Sequence, residues 1–363
     1  MSDQDLEAWL RQMPGADHPF PTSPQRLYSP ADLYQGFDPE RAGTLGASFD
    51  ARVARWLADG ELPARKLSIA ETIAARLHDT AIDRLVADFV LKRMPSVGMM
   101  GSHAISRADP AFLQFALIAR SLQREGHLVI TGGGPGLMEA ANFGAFLGPC
   151  ADDVLDEALE ILKRAPVYQG GGEAWARVAA EARAYVLQRM PGAGPGSDWA
   201  SEAPEGARSL GLPTWYYNAE PANLFASNVG KYFFNSLRED GLVGVSTAGI
   251  VFGMGEAGTV QEIFQSASLN YYRAPDKAPT PMVFVGSDYW SSEAGAAAAG
   301  ATISATRKPA APLVKTMARQ AAAPFIGAVF MCDGASEVLD AIASSAEGRA
   351  SCIAETRLSA AQR

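Results

Sequence analysis

Apolar residues recur three and four apart over Leu67 to Leu77 and again over Ala81 to Met94, where Ile82, Leu85, Val86, Phe89 and Val90 trace one face of a helix. The stretch Gly15 to Gly46 is instead rich in Pro, Gly and Asp and reads as extended or looped. Residues 1–93 are therefore expected to form a helical N-terminal region packed on the remainder of the chain.

At Met94 the rhythm shortens. The run Ser96 to Met100 ends in Gly101-Ser102, a helical stretch comes next from Pro110 to Glu125, and His127 to Thr131 reads as a strand entering four glycines around one proline. The next helix, Gly136 to Leu147, carries small residues that let it lie close to a sheet. Strand, helix, strand and glycine turn in that order predict a parallel sheet with crossover helices. The alternation resumes with Leu212 to Tyr217 as a strand, a helix from about Ala222 to Glu239, and a strand at Gly249 to Gly253. It continues with a helix from Gly258 to Asn270, strands at Pro281 to Val285 and Ala328 to Cys332, and a helix at Ala335 to Ser345.

Between these lie the helical Asp152 to Arg164 and Glu173 to Met190 and the loop Pro191 to Gly206, so 151–206 is read as an insertion. Glu293 to Pro324 is Ala-rich and low in complexity, partly helical at best. The domain division is 1–93, 94–350 with that insertion, and a tail at 351–363.

Composition narrows the class. With 363 residues, 48% apolar and 20% charged, the chain falls among globular proteins. A net charge of -9 argues against nucleic acid as partner. No run reaches the roughly 18 apolar residues of a membrane span, and the start is acidic rather than signal-like, so no membrane partner and a cytoplasmic location are expected. Cys150, Cys332 and Cys352 stand far apart without ligand-spaced histidines, so neither disulfide nor metal site is expected.

Two glycine turns carry the candidate chemistry. Thr131-Gly-Gly-Gly-Pro-Gly-Leu-Met-Glu-Ala-Ala-Asn142 lies between a strand and a helix, where exposed N–H groups and the helix dipole attract anions. A tight turn without ligand is the plain alternative. Gly253-Met-Gly-Glu-Ala-Gly-Thr-Val-Gln-Glu262 repeats the arrangement, with Thr259 and Glu262 on one side of the following helix, although T-x-x-E also reads as a structural capping box. Two such turns at the carboxyl ends of parallel strands would face one crevice. The spacing fits the dinucleotide fingerprint poorly, which disfavours a dinucleotide-dependent oxidoreductase.

The runs TGGGPGLMEAANFGA (Thr131 to Ala145) and GMGEAGTVQEIFQ (Gly253 to Gln265) resemble the two signature motifs of the LOG family, Rossmann-like nucleotide-binding proteins long labelled lysine decarboxylases. The likeness covers about Ser96 to Ile342 without the insertion and the Ala-rich stretch. It implies an α/β fold, a Rossmann-like parallel sheet flanked by helices, and cleavage of the N-glycosidic bond of nucleoside 5′-monophosphates. It also implies no metal or redox cofactor, and a homodimer or higher homo-oligomer.

By this resemblance Glu262 is the catalytic carboxylate and Lys231 matches the lysine of an upstream Arg-Lys pair. Gly133, Gly134, Gly136, Gly255, Gly258 and Thr259 would hold the phosphate, with Gly101 and Ser102 near the nucleotide. Glu139 and Asn142 could serve ribose or base, or be a solvated or sheet-edge polar pair. The family's second motif, PGGxGTxxE, is altered: Met254 replaces the proline and Glu256 the second glycine. Gly230 stands where the arginine would be, with Arg238 a substitute by nearness in sequence. A carboxylate at residue 256 about 4 Å from a phosphate charge would cost on the order of 4 kcal/mol at an effective dielectric near 20.

His103 could transfer protons or be incidental. Trp215, Tyr216, Tyr217, Phe225, Tyr232, Phe233 and Phe234 read as core or subunit interface, and Asn270 to Arg273 as a crevice edge or a helix C-terminus. The rival to a hydrolase is a non-catalytic nucleotide or cofactor carrier or sensor, which would keep the phosphate turns and lose the chemistry.

Overall fold

A computed structural model describes Trp9 and residues 18–58, 67–93, 95–169, 172–216, 221–291 and 307–344. Tyr217, Cys352, part of the Ala-rich stretch (293–306) and the tail 351–363 lie outside these described residues.

Seven strands form one parallel sheet: β1 (Ser96–Met100), β2 (Leu128–Thr131), β3 (Leu210–Gly211), β4 (Asn228–Val229), β5 (Gly249–Phe252), β6 (Met282–Val285) and β7 (Val329–Cys332). Their spatial order is β4-β3-β2-β1-β5-β6-β7. The chain runs outward from β1 in one direction and returns to lay β5 on its other side, so a crevice opens at the carboxyl ends of β1 and β5. β1, β2, β5 and β6 are buried throughout, as continuous apolar runs in a sheet covered on both faces require.

The helices are α1 (Pro30–Leu33), α2 (Phe49–Leu57), α3 (Ile69–Leu91), α4 (Pro110–Arg124), α5 (Leu137–Phe146), α6 (Asp152–Lys163), α7 (Glu173–Leu187), α8 (Asn235–Val245), α9 (Ala257–Tyr271), α10 (Ser287–Ser291) and α11 (Ala310–Gln320), with a final helix over 335–344. The result is an α/β, Rossmann-like architecture with a helical N-terminal region. No helix among the described residues is long and apolar enough to cross a membrane.

The two apolar stretches between Leu67 and Met94 form one helix. Ser68 caps α3 in a reciprocal box with Glu71, and the stripe of Ile82, Val86, Phe89 and Val90 is buried. The N-terminal region shares one apolar core with the sheet. Tyr28 pairs with Val229 beside β4, donating its N–H to Val229 O at 2.9 Å.

Two expected elements differ. The described part of that expected strand, Leu212 to Tyr216, is not a strand; β3 ends at Gly211 and only Thr214 bridges to Tyr232. Residues 222–234 are not helical and hold β4, while α8 starts at Asn235. Asn223 explains this locally: its Oδ1 accepts from Phe225 and Ala226 N–H at 3.1 and 3.0 Å, a turn that competes with a helix. Leu224, Phe225 and Ala226 are all buried, so the segment has no solvent face of helical period.

Candidate functional site

The loops after β1 and β5 continue the strand pairing beyond the sheet. Gly253 N–H donates to Met100 O at 2.8 Å and Ser102 N–H to Met254 O at 2.8 Å. Ser102 O in turn accepts the Leu137 N–H, the first of α5, at 2.9 Å. Gly136, the N-cap of α5, has φ +68°, and a Cβ there would lie 2.3 Å from Ser102 O. Only glycine permits that turn and that approach. The three loops are thereby locked around a crevice of about 640 Å³.

The crevice brings together Gly101, Ser102, Gly136, Glu139, Gly258, Thr259 and Glu262 of the expected residues, with His103. The first turns of α5 and α9 open into it and present helix N-termini suited to an anion. Thr259 is the third residue of α9, whose N-cap is Glu256, so the T-x-x-E pattern is not a capping box; Glu262 is buried one turn further on.

Lys231 is not brought to the crevice. Its Nζ lies 2.7 Å from Asp50 Oδ1 and 5.4 Å from the centre of the Trp215 ring, fully buried among the N-terminal helices. Gly133, Gly134 and Gly255 do not line it either. The Gly133 and Gly134 carbonyls accept from Asn223 N–H at 2.8 Å and its Nδ2 at 3.1 Å, which ties the turn to the β3–β4 connection. Gly255 backs the Thr259 side chain, and its carbonyl accepts from Tyr289 at 2.7 Å.

Asn142 belongs to the same structural network, with its Oδ1 accepting from Thr131 at 2.6 Å and from Asn223 at 3.0 Å. Four of the aromatic cluster are core: Trp215, Phe225, Tyr232 and Phe233 are buried, with Trp215 and Phe233 4.7 Å apart, whereas Phe234 is half-buried and Tyr216 exposed. Asn270 and Arg273 bond the chain around Thr280 and Ala323 rather than the crevice.

Arg238 stands in the crevice wall. Its Nη1 is 3.2 Å from Glu262 Oε1, and Asn235 Oδ1 accepts from its Nη2 at 2.7 Å. The sequence offered Arg238 only by its nearness to Gly230 and Lys231; its anchor on Asn235 and its pairing with Glu262 on α9 it did not show.

Arg107 carried no signal in the sequence. It grips Glu139 with both ends of its guanidinium, Nε to Oε2 at 2.9 Å and Nη2 to Oε1 at 2.5 Å, and both side chains are essentially without solvent contact. Glu139 is thus committed to structure at the crevice floor. The insertion adds Pro166, Val167, Tyr168 and Trp175 as a further wall, fixed by Arg107 N–H donating to Pro166 O at 2.8 Å.

Glu256 does face the crevice, but its charge is answered. Lys308 Nζ lies 2.8 Å from Glu256 Oε2 and 3.3 Å from the Tyr289 hydroxyl. Burial acts to lower the Lys308 amine's pKa, and its hydrogen bonds to Glu256 and Tyr289 outweigh this and leave it raised. Fold and site together define an α/β protein with a crevice at the carboxyl ends of β1 and β5, lined by two helix N-termini and a buried carboxylate–guanidinium pair. The chain matches no family model and no curated protein sequence.

Proposed function

We propose that the chain hydrolyses the N-glycosidic bond of nucleoside 5′-monophosphates to free base and ribose 5-phosphate, the activity implied by its resemblance to the LOG family. The observation that carries this reading is Glu262, buried beside Arg238 in the same crevice as the first turns of α5 and α9. In this reading the helix N-termini and Thr259 hold the phosphate, and the C1′–N bond lies toward Glu262. Departure of the base leaves an oxocarbenium-like ribosyl centre, which the carboxylate stabilises or supplies with activated water. Arg238 orients Glu262 and offsets the cost of burying its charge.

One observation favours a non-catalytic nucleotide binder. Glu139, Glu239, Glu256 and Glu262 all line the crevice, against two arginines, Arg107 and Arg238. A phosphate there depends chiefly on backbone N–H groups, as it would in a carrier or sensor. Assay of ribose 5-phosphate release from purine and pyrimidine monophosphates, with wild type and Glu262→Gln, decides between them. Release that the substitution abolishes supports the hydrolase; binding without release supports the carrier. A cytoplasmic location and a homo-oligomer belong to the same proposal, the first in keeping with the free, buried thiols of Cys150 and Cys332.

A further inference from the structure

The glycine turns do not account for the wall that the insertion adds. Tyr168 and Trp175 meet edge to face, with ring centres 5.7 Å apart and an interplanar angle of 86°. Gly172 has φ +80°, and a Cβ there would lie 2.3 Å from Tyr168 Cε2, so a glycine at this point lets the phenol ring rest directly on the backbone. Behind it Trp175 is buried, with the Arg107 guanidinium 4.7 Å from its ring centre. Arg107 is itself clamped to Glu139 in α5. A continuous series of contacts therefore runs from the first glycine motif to Tyr168, which remains partly exposed and lines the crevice.

The crevice has two characters. The turns of α5 and α9 with Glu262 supply N–H groups and charge, whereas Ile105, Val167 and Tyr168 supply apolar and aromatic surface. A nucleotide is divided in the same way, with phosphate and ribose at one end and a flat π-system at the other. Nucleobases of every kind stack on aromatic side chains.

We propose that Tyr168 is the specificity-determining residue for the base. Its ring stacks on the nucleobase, so the insertion restricts the site to ligands that carry an aromatic base as well as a phosphate. This rests on the nucleotide reading above.

Calorimetric titration with adenosine 5′-monophosphate and with ribose 5-phosphate, in wild type, Tyr168→Ala, Tyr168→Phe and Gly172→Ala, tests it alongside the release assay. Tyr168→Ala should weaken the nucleotide about tenfold or more and leave ribose 5-phosphate within about twofold. Tyr168→Phe should behave as wild type. Gly172→Ala, which displaces the ring without removing it, should also discriminate against the nucleotide. Unchanged nucleotide affinity in Tyr168→Ala overturns the proposal, as does equal loss of both ligands, which would make the ring a structural support. A wild type that binds the nucleotide without releasing ribose 5-phosphate removes the hydrolase reading, while the stacking result still stands or falls on the titrations. A wild type that binds neither probe overturns both.

Discussion

Lys231 and Asp50, 181 residues apart, form a buried ion pair at 2.7 Å beneath Trp215, whose Nε1 also donates to Asp50 at 2.7 Å. The pair joins α2 to the segment after β4, so the N-terminal region is a structural part of the sheet's edge. Asp50→Ala leaves the Lys231 ammonium buried without this carboxylate. The expected cost is about 3 kcal/mol or more, read as a lower urea midpoint. A loss below about 0.5 kcal/mol would show that the pair does not hold the region in place.

Arg238 and Glu262 predict a strongly non-additive pair. Each single substitution, Arg238→Met or Glu262→Leu, leaves one buried charge and should destabilise by about 3 kcal/mol, whereas the double variant should recover much of that loss. Thermal unfolding of the four proteins measures the coupling. Simple additivity would mean that the two groups do not depend on each other.

Gly136→Ala places a Cβ against Ser102 O at a positive φ. Strain on the order of 1–3 kcal/mol is expected, together with loss of affinity for ribose 5-phosphate, because the turn that presents α5 to the crevice must move. Calorimetry and a melting curve on the same sample separate the two effects.

Glu256 and Lys308 predict opposite changes in anion affinity. Lys308→Met removes the cation that answers Glu256 and should weaken ribose 5-phosphate by about three- to tenfold, while Glu256→Gln should strengthen it. Because Glu256 is more than half exposed, both effects should shrink in high salt. Affinity that ignores both substitutions would place the phosphate away from α9.

Burial pushes the thiols of Cys150 and Cys332 up to about 11. In the unfolded chain a thiol ionises near about 8.5, so the folded state is favoured by these groups below that pH. That advantage is lost as pH rises toward 11. Urea midpoints should fall more steeply between about pH 8.5 and 11 for wild type than for the Cys150→Ala/Cys332→Ala variant. Parallel pH profiles would assign the alkaline loss to other groups.

Most of the sheet was legible because β1, β2, β5, β6 and β7 are short apolar runs bounded by turn residues, a signal that needs no knowledge of neighbours. Gly136 was legible for the same reason: it sits where a strand becomes a helix. Glu262 and Thr259 were placed correctly on one side of α9, since helical spacing alone puts residues three apart on one face. Residues 222–234 were misread, because Asn223 bonds locally and the apolar side chains are buried all round, leaving no period to read.

By itself, then, the sequence determined the parallel α/β sheet, the helical N-terminal region and two glycine turns at strand ends, all of which derive from local propensity and periodicity. Tertiary structure alone decided which glycines face the crevice, that Lys231 serves Asp50, and that Arg238, Arg107, Lys308 and Tyr168 complete or flank the site. Among their partners, Glu262, Glu139, Glu256 and Trp175 lie 24, 32, 52 and 7 residues away along the chain. Such pairings depend on strand order and helix docking, which a charge or ring on a linear chain does not encode.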